Sequence, residues 1–302
     1  MSSMLIILQQ LLILYIFLCL GWFFGKVKKG LTDQSGMISF LLVNLFLPCK
    51  VFGNFSANFT IPYISENYKT VLVSLGMLVL LHFLAKLPAH FLKKDHYEKQ
   101  VYEYSITISN YAYLGYALIE NVFGSQALTN MLVFCIPFSL YTYTVGYIKL
   151  TGGGNPFKRL LNPMVGAMVV GIVCGLTGLQ LPEFLTKAVS SAAACLGPMS
   201  MLLTGLVLST FVLKDLLCNV QAYILVAIRL IGVPGLIFLL FKGLRLDFAL
   251  PYALMMTAMP TGLNTIIFAK NAGQSPNMGA RFAFISHLSS LLTLPFWLSL
   301  LS

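Results

Sequence analysis

Ser109-Asn110-Tyr111-Ala112-Tyr113-Leu114-Gly115 and Met259-Pro260-Thr261-Gly262-Leu263-Asn264 each break an apolar span, and the two breaks hold matching positions in the two halves of the chain. A second matched pair surrounds them. Leu45-Phe46-Leu47-Pro48-Cys49 interrupts an early span, and Ala193-Ala194-Cys195-Leu196-Gly197-Pro198-Met199 interrupts its counterpart one half-chain later. Irregular backbone at membrane depth is tolerated only where protein or a water-filled cavity satisfies its polar groups. Breaks that recur in register therefore point to an internal repeat built around a polar interior.

The 302 residues are 58% hydrophobic and 9% charged, with a mean hydropathy of +0.85. So few charges cannot cover a water-facing surface, which excludes a soluble globular protein and leaves a polytopic membrane protein. At about 20 residues per crossing the chain holds about ten helices and no soluble domain. The first span has no basic leader and no small-residue cleavage site, so it reads as a retained helix and not a signal peptide. The net charge of +10 raises nucleic acid as a partner. The basic residues sit in small groups between spans, not on one face, and nucleic-acid binding is not expected. Cys19, Cys49, Cys135, Cys174, Cys195 and Cys218 lie in or beside apolar spans with no CxxC pair, and read as small buried side chains instead of disulfides or metal ligands. No cofactor motif is present.

Hydropathy windows of about 19 residues place helices near 4–25, 36–56, 68–91, 101–122, 126–148, 161–179, 183–211, 215–241, 248–270 and 278–300. The longest connections run from Ala57 to Asn67, Leu92 to Gln100 and Lys149 to Leu160. The last contains Gly152-Gly153-Gly154-Asn155-Pro156, which lacks a following GKS or GKT and reads as a linker, not a phosphate loop. The expected organisation is a five-helix half over 1–148, a cytoplasmic linker over 149–160 and a second five-helix half over 161–302. Alternate loops hold Lys26, Lys28, Lys29, Lys93, Lys94, Lys99, Lys149, Lys158, Arg159, Lys214, Lys270 and Arg281, whereas the opposite loops hold only Lys69, Lys187, Lys242 and Arg245. The positive-inside rule makes the richer side cytoplasmic and puts both termini outside, in the plasma (inner) membrane. An odd number of helices per half inverts the second half relative to the first, and inverted repeats with interrupted helices are the architecture of secondary transporters.

Several stretches carry a family resemblance. They are Val43-Asn44-Leu45-Phe46-Leu47-Pro48, Ser109-Asn110 through Leu114-Gly115 with Phe123-Gly124 behind, Asn162-Pro163, Gly197-Pro198 with Leu203-Thr204-Gly205-Leu206, Arg229 before Pro234, Met259-Pro260 with Asn264, and Leu292-Thr293-Leu294-Pro295. In this order, over essentially the whole chain, they resemble the auxin efflux carrier family, which includes bacterial permeases assigned to malate and malonate and the plant PIN-type exporters. The resemblance implies an all-α membrane protein of ten helices in two inverted five-helix repeats, with the fourth and ninth helices broken and crossing. It also implies a scaffold made of the first, second and seventh helices and their repeat mates, dimeric in some relatives, and an elevator-like movement of the crossover domain. Two positions depart from the pattern: Tyr116 stands where relatives often have proline, and Lys50 where they usually have a small or apolar residue.

The candidate substrate-binding residues are Asn110, Gly115, Asn264 and Lys50, and the helix breaks are Pro48, Pro198 and Pro260. A helix starting at mid-membrane offers unpaired N–H groups and a partial positive charge, which bind a carboxylate without a charged side chain. By resemblance Asn110 matches the crossover asparagine that contacts substrate; its alternative is an interhelical hydrogen bond. Asn264 carries the same two readings, and Pro260 is a structural break that frees a carbonyl. Lys50 is either the counter-charge of a carboxylate or a lysine snorkelling to the interface. Arg229 reads as scaffold, interface or lipid contact. Glu103 and Glu120 bracket the fourth helix as headgroup-level residues with proton carriage as the alternative, and His82 and His287 read as satisfied bundle residues. Most tyrosines form interfacial belts, with Tyr113 and Tyr116 as pathway candidates.

These readings converge on a permease for a small organic anion, a carboxylate such as malate or malonate, with lipid, a coupling proton and a second copy of the chain as further partners. Moving each negative charge inward costs about 2.3 kcal/mol per 100 mV, so uptake needs a co-transported cation or exchange. A sodium-coupled symporter of the bile-acid carrier type would need carboxylate ligands at the crossover, and no acidic residue is near either break. A sensor would carry an output domain, and an intramembrane enzyme would carry HExxH, paired aspartates or a Ser/His arrangement; neither signature is present.

Overall fold

The computed structural model describes residues 3–28, 30–92, 95–153, 155, 158 and 160–301. Apart from one isolated β-bridge, the regular structure of the described residues is helical. The main helices are α1 (Ser3–Val27), α2 (Leu31–Asn58), α3 (Ile61–Leu92), α4 (His96–Thr107), α5 (Tyr111–Phe134), α6 (Ile136–Thr151), α7 (Pro163–Thr177), α8 (Glu183–Leu208), α9 (Val220–Gly243), α10 (Leu250–Ala258), α11 (Asn264–Asn271) and α12 (Asn277–Ser299). Six of these, α1, α2, α3, α8, α9 and α12, are long and apolar enough to cross a membrane, and α5 and α6, bent by 51° against each other, would add a seventh if counted as one span. Their outer faces carry large apolar side chains. On α3 these are Leu72, Leu75, Val79, Phe83, Leu87 and Phe91, spaced by three or four residues so that they form one stripe.

Two boundaries differ from hydropathy. α3 begins at Ile61, so only Phe59 and Thr60 separate it from α2. The polar residues that suggested a loop satisfy the helix from within: Ser65 Oγ donates to the Pro62 carbonyl at 2.8 Å and Asn67 Nδ2 to the Tyr63 carbonyl at 3.0 Å. α4 begins at His96, not near 101, because the Asp95 carboxylate accepts from the Glu98 N–H at 2.9 Å and caps the helix. In the linker expected over 149–160, α6 runs on to Thr151, while Gly154, Pro156, Phe157 and Arg159 lie outside the described residues. Lys29, Lys93 and Lys94 of the charge count do too.

Proline does not break every span that contains it. Pro48 follows a π turn over Leu42–Phe46, and α2 continues through it. The wide turn lets the ladder skip one carbonyl, so the missing proline N–H leaves no gap. Pro234 in α9 follows the π turn Ile228–Gly232 in the same way. Around Pro198 the interruption is a single residue, Cys195. Gly124, at φ 85° and ψ 177°, turns α5 sharply between two helical arms, a conformation open essentially to glycine alone.

Two helix pairs pack at very short range. A Cβ on Gly205 of α8 would lie 1.9 Å from the Leu18 carbonyl oxygen of α1, and one on Gly21 of α1 would lie 2.0 Å from that of Leu202. In the same manner a Cβ on Gly175 of α7 would meet the carbonyl oxygen of Phe55 in α2 at 2.7 Å and that of Phe59, just past the end of α2, at 2.5 Å. Small residues thus let backbones touch in α1–α8 and again in α7–α2.

Candidate functional site

The two breaks found in the sequence meet. α4 ends at Thr107 and α10 at Ala258, and the extended residues beyond them run antiparallel, with Ser109 bridged to Thr261. The Asn110 N–H donates to the Pro260 carbonyl at 2.7 Å, so the carbonyl next to the proline ring is satisfied by the opposite break. Ser109 Oγ donates to the Met256 carbonyl at 2.7 Å, and Thr261 N–H donates to Ser286 Oγ at 3.1 Å. Directly after the crossing residues the chain re-enters helix, α5 at Tyr111 and α11 at Asn264.

Arg229, fully buried on α9, spans the two chain ends. Its guanidinium donates to the Ile106 carbonyl at 3.1 Å and the Met256 carbonyl at 3.0 Å. These belong to the last turns of α4 and α10, where unpaired carbonyls and the negative ends of two helix dipoles converge. One planar cation thereby holds both half-helices. The sequence reading of Arg229 as scaffold did not reach this role, because its partners are backbone atoms with no residue signature.

Around the crossing lies a pocket of about 30 Å³, lined by Ser109, Asn110, Tyr113, Gly262 and Asn264 among others. That is space on the order of one water molecule. Asn110 is buried, and its Nδ2 lies 3.2 Å from His287 Nε2. Asn264 Nδ2 donates to the Tyr104 hydroxyl at 2.8 Å. Gly115 closes the π turn Tyr111–Gly115 and faces Met259, outside the lining of this pocket. Tyr113 lines the pocket, whereas Tyr116 packs edge-on against Tyr111.

A second, larger cavity of about 670 Å³ opens between α1, α2, the first arm of α5 and α8. Lys50, Asn54, Asn58, Glu120, Asn121 and Gln180 give it a polar wall. Lys50 is buried, and its ammonium pairs with the Glu120 carboxylate across the cavity edge. Glu120 is the partner that sequence alone did not supply: the lysine has its charge met within the protein. Where Gly197 of α8 faces α5 in the cavity lining, an added Cβ would sit 2.8 Å from that of Ala117, so the two helices pack closely there. Asn110 and Asn264 thus share one pocket, and Lys50 belongs to the other.

The remaining candidates are also paired. Glu103 binds Lys149 at 2.5 Å with both side chains largely buried, and His82 Nδ1 is 2.9 Å from the Tyr141 hydroxyl. His287 is the residue whose position the sequence reading missed, since it touches the crossover asparagine directly.

The family model for a membrane transport protein matches this chain over residues 6–159 and 156–298. The chain belongs to the auxin efflux carrier family. The carrier is also 22% identical over 307 residues to the uncharacterized transporter YfdV of Escherichia coli K12, with 96% of each chain covered, and equally to the proteins of that name from Escherichia coli O157:H7 and Shigella flexneri. Membership makes it an integral membrane transport protein and points away from an enzyme.

Proposed function

We propose that this carrier moves a small organic anion, a carboxylate such as malate or malonate, through a site at the crossing of the two broken helices. The observation that carries the reading is the antiparallel meeting of the breaks, with the Asn110 N–H bonded to the Pro260 carbonyl. It sets the first turns of α5 and α11 around a pocket lined by Asn110 and Asn264. First-turn N–H groups have no intrahelical partner and attract negative charge, and no acidic side chain lines the pocket. An anion is the ligand such a surface suits.

The proposed architecture is ten spans in two inverted halves, 1–148 and 161–302, joined by the linker. Support comes from the two glycine-lined contacts: if α7 is the mate of α1 and α8 the mate of α2, then α1–α8 and α7–α2 are the same contact made twice. The proposed movement is an elevator-like displacement of the crossing helices against α1, α2, α7 and α8. The 30 Å³ pocket then corresponds to a closed site, and the 670 Å³ cavity to the approach from one side. Its wall includes the α2 end at Asn58 and the stretch from Leu179 to Leu181, the side with few basic loops and hence the non-cytoplasmic side.

The test is counterflow of labelled malonate and malate in proteoliposomes, with Asn110→Ala expected to lose uptake while reaching the membrane at the wild-type level. Uptake kinetics near wild type in that variant would move the site away from the crossover. Replacing sodium by potassium at fixed pH is expected to leave transport intact, and abolition would favour a sodium-coupled symporter.

A further inference from the structure

The Asn110–His287 contact fixes more than packing. His287 Nδ1 lies 2.7 Å from the Ala283 carbonyl oxygen. A carbonyl only accepts, so Nδ1 carries the proton and Nε2 of the neutral ring is an acceptor. Asn110 must then direct its Nδ2 group to the ring, at 3.2 Å. The amide has one acceptor corner and one donor corner. With that group turned toward His287 and one of its two N–H donors given to the ring, the oxygen is turned away from the ring, and Asn110 lines the crossover pocket. That is the wrong corner for a carboxylate.

A proton on Nε2 reverses this. The ring becomes a donor at both nitrogens, keeping its bond to Ala283, and Asn110 answers by a half-turn of its amide that brings Oδ1 to Nε2–H. The NH2 group then faces the pocket, and a positive charge stands one side chain behind it. The surroundings are suited to holding the ring while its charge changes. From α1, the Tyr15 hydroxyl donates to the His287 carbonyl at 2.8 Å and lies 2.7 Å from Ser290 Oγ. From α12 itself, Ser286 is taken up by Thr261. On α9 the buried cation is Arg229, engaged with the Ile106 and Met256 carbonyls, and on α4 the Glu103 carboxylate is spent on Lys149. The ring has no ion-pair partner among the described residues, so the charge complementary to its proton is left for a ligand to supply.

We propose that His287 is the proton-coupling residue of this carrier: protonation of Nε2 turns the Asn110 amide from acceptor to donor, so that a carboxylate and a proton are bound at the crossover together. The inference rests on the reading of the crossover as the anion site. The proton comes from hydronium and returns to water, so an O–H bond is exchanged for the Nε2–H bond and no other bond is made or broken. Binding linkage is reciprocal, so the proton raises anion affinity by the factor by which the anion raises proton affinity. Inward movement of a dicarboxylate dianion with one proton transfers one negative charge instead of two, which halves the opposing membrane-potential term, and a monoanion moved with one proton transfers none.

The experiment is malonate binding to the purified carrier between about pH 7.5 and about pH 5.5, bracketing the ordinary imidazole value of about 6.5, with proton uptake followed by a soluble pH dye. Wild type is compared with His287→Gln, His287→Ser and Asn110→Ala, each checked by thermal melting. Malonate's own titration is common to all and cancels in the ratio to wild type. The wild-type affinity is expected to gain up to about tenfold per pH unit on acidification beyond the His287→Gln value, the limit for one linked proton. His287→Gln, whose amide can donate to Asn110 at any pH, is expected to bind without taking up that proton. His287→Ser serves the same purpose should the glutamine variant not fold. An unchanged pH profile or unchanged proton uptake in the variants overturns the inference. Normal binding in Asn110→Ala overturns the crossover reading instead, and loss of binding there with a wild-type pH profile in His287→Gln sinks only the role of the histidine.

Discussion

Replacing Arg229 by methionine is the sharpest probe of how the crossing is held. The side chain is fully buried and its two donors reach the Ile106 and Met256 carbonyls. These carbonyls are not equivalent. The Met256 oxygen also accepts from Ser109 Oγ, whereas the carbonyl of Ile106 lies opposite an Asn110 N–H that has gone to Pro260. Methionine therefore leaves Ile106 unpaired, at about 1–3 kcal/mol, and removes a charged bond from Met256 worth about 1.5–3 kcal/mol. The sum is about 2.5–6 kcal/mol. Release of the guanidinium from a site where its Nε has no hydrogen-bond partner offsets part of this. The expected result is a lower melting temperature in detergent and impaired transport at normal expression, with Arg229→Lys intermediate because a point charge serves one carbonyl better than two. Ser109→Ala should be non-additive with Arg229→Met, since both then strip the Met256 oxygen. Wild-type melting in Arg229→Met, or strict additivity in the double variant, would refute the bracing role.

Two further predictions concern the scaffold. Gly205→Val should prevent α1 and α8 from closing and abolish folded protein, as judged by size-exclusion of the detergent-solubilised chain, because even a Cβ would overlap the Leu18 carbonyl; Gly36→Ala, with open space at its Cβ, should behave as wild type. Lys50→Met should bind carboxylates less well and be partly restored by Glu120→Gln, which removes the stranded charge; since Glu120 is about a third exposed, the stability lost by breaking the pair should be no more than about 1 kcal/mol in a denaturation assay, and dicarboxylates should suffer more than monocarboxylates in uptake.

Much of the fold was legible because hydrophobicity and helix breakers act locally. The apolar runs at 4–25, 183–211 and 278–300 returned as α1, α8 and α12 within a few residues, and the breaks at Asn110 and Pro260 are where the backbone leaves the helix. Local reading failed where a residue's effect depended on a neighbouring turn. Pro48 looked like a break and sits in a continuous helix after a π turn, while Ser65 and Asn67 looked like a loop and bond to their own helix.

By itself, the sequence determined the membrane class and the two interrupted helices, which follow from composition and from helix-breaking residue types, and it carried the motifs whose resemblance pointed to the family. Only the tertiary structure decided who meets whom: Lys50 with Glu120 across 70 residues, Arg229 with Ile106 across 123, and Asn110 with His287 across 177. A buried polar group must find a partner somewhere in a low-dielectric interior. The requirement is written in the chain, but the identity of the partner emerges only when the helices pack.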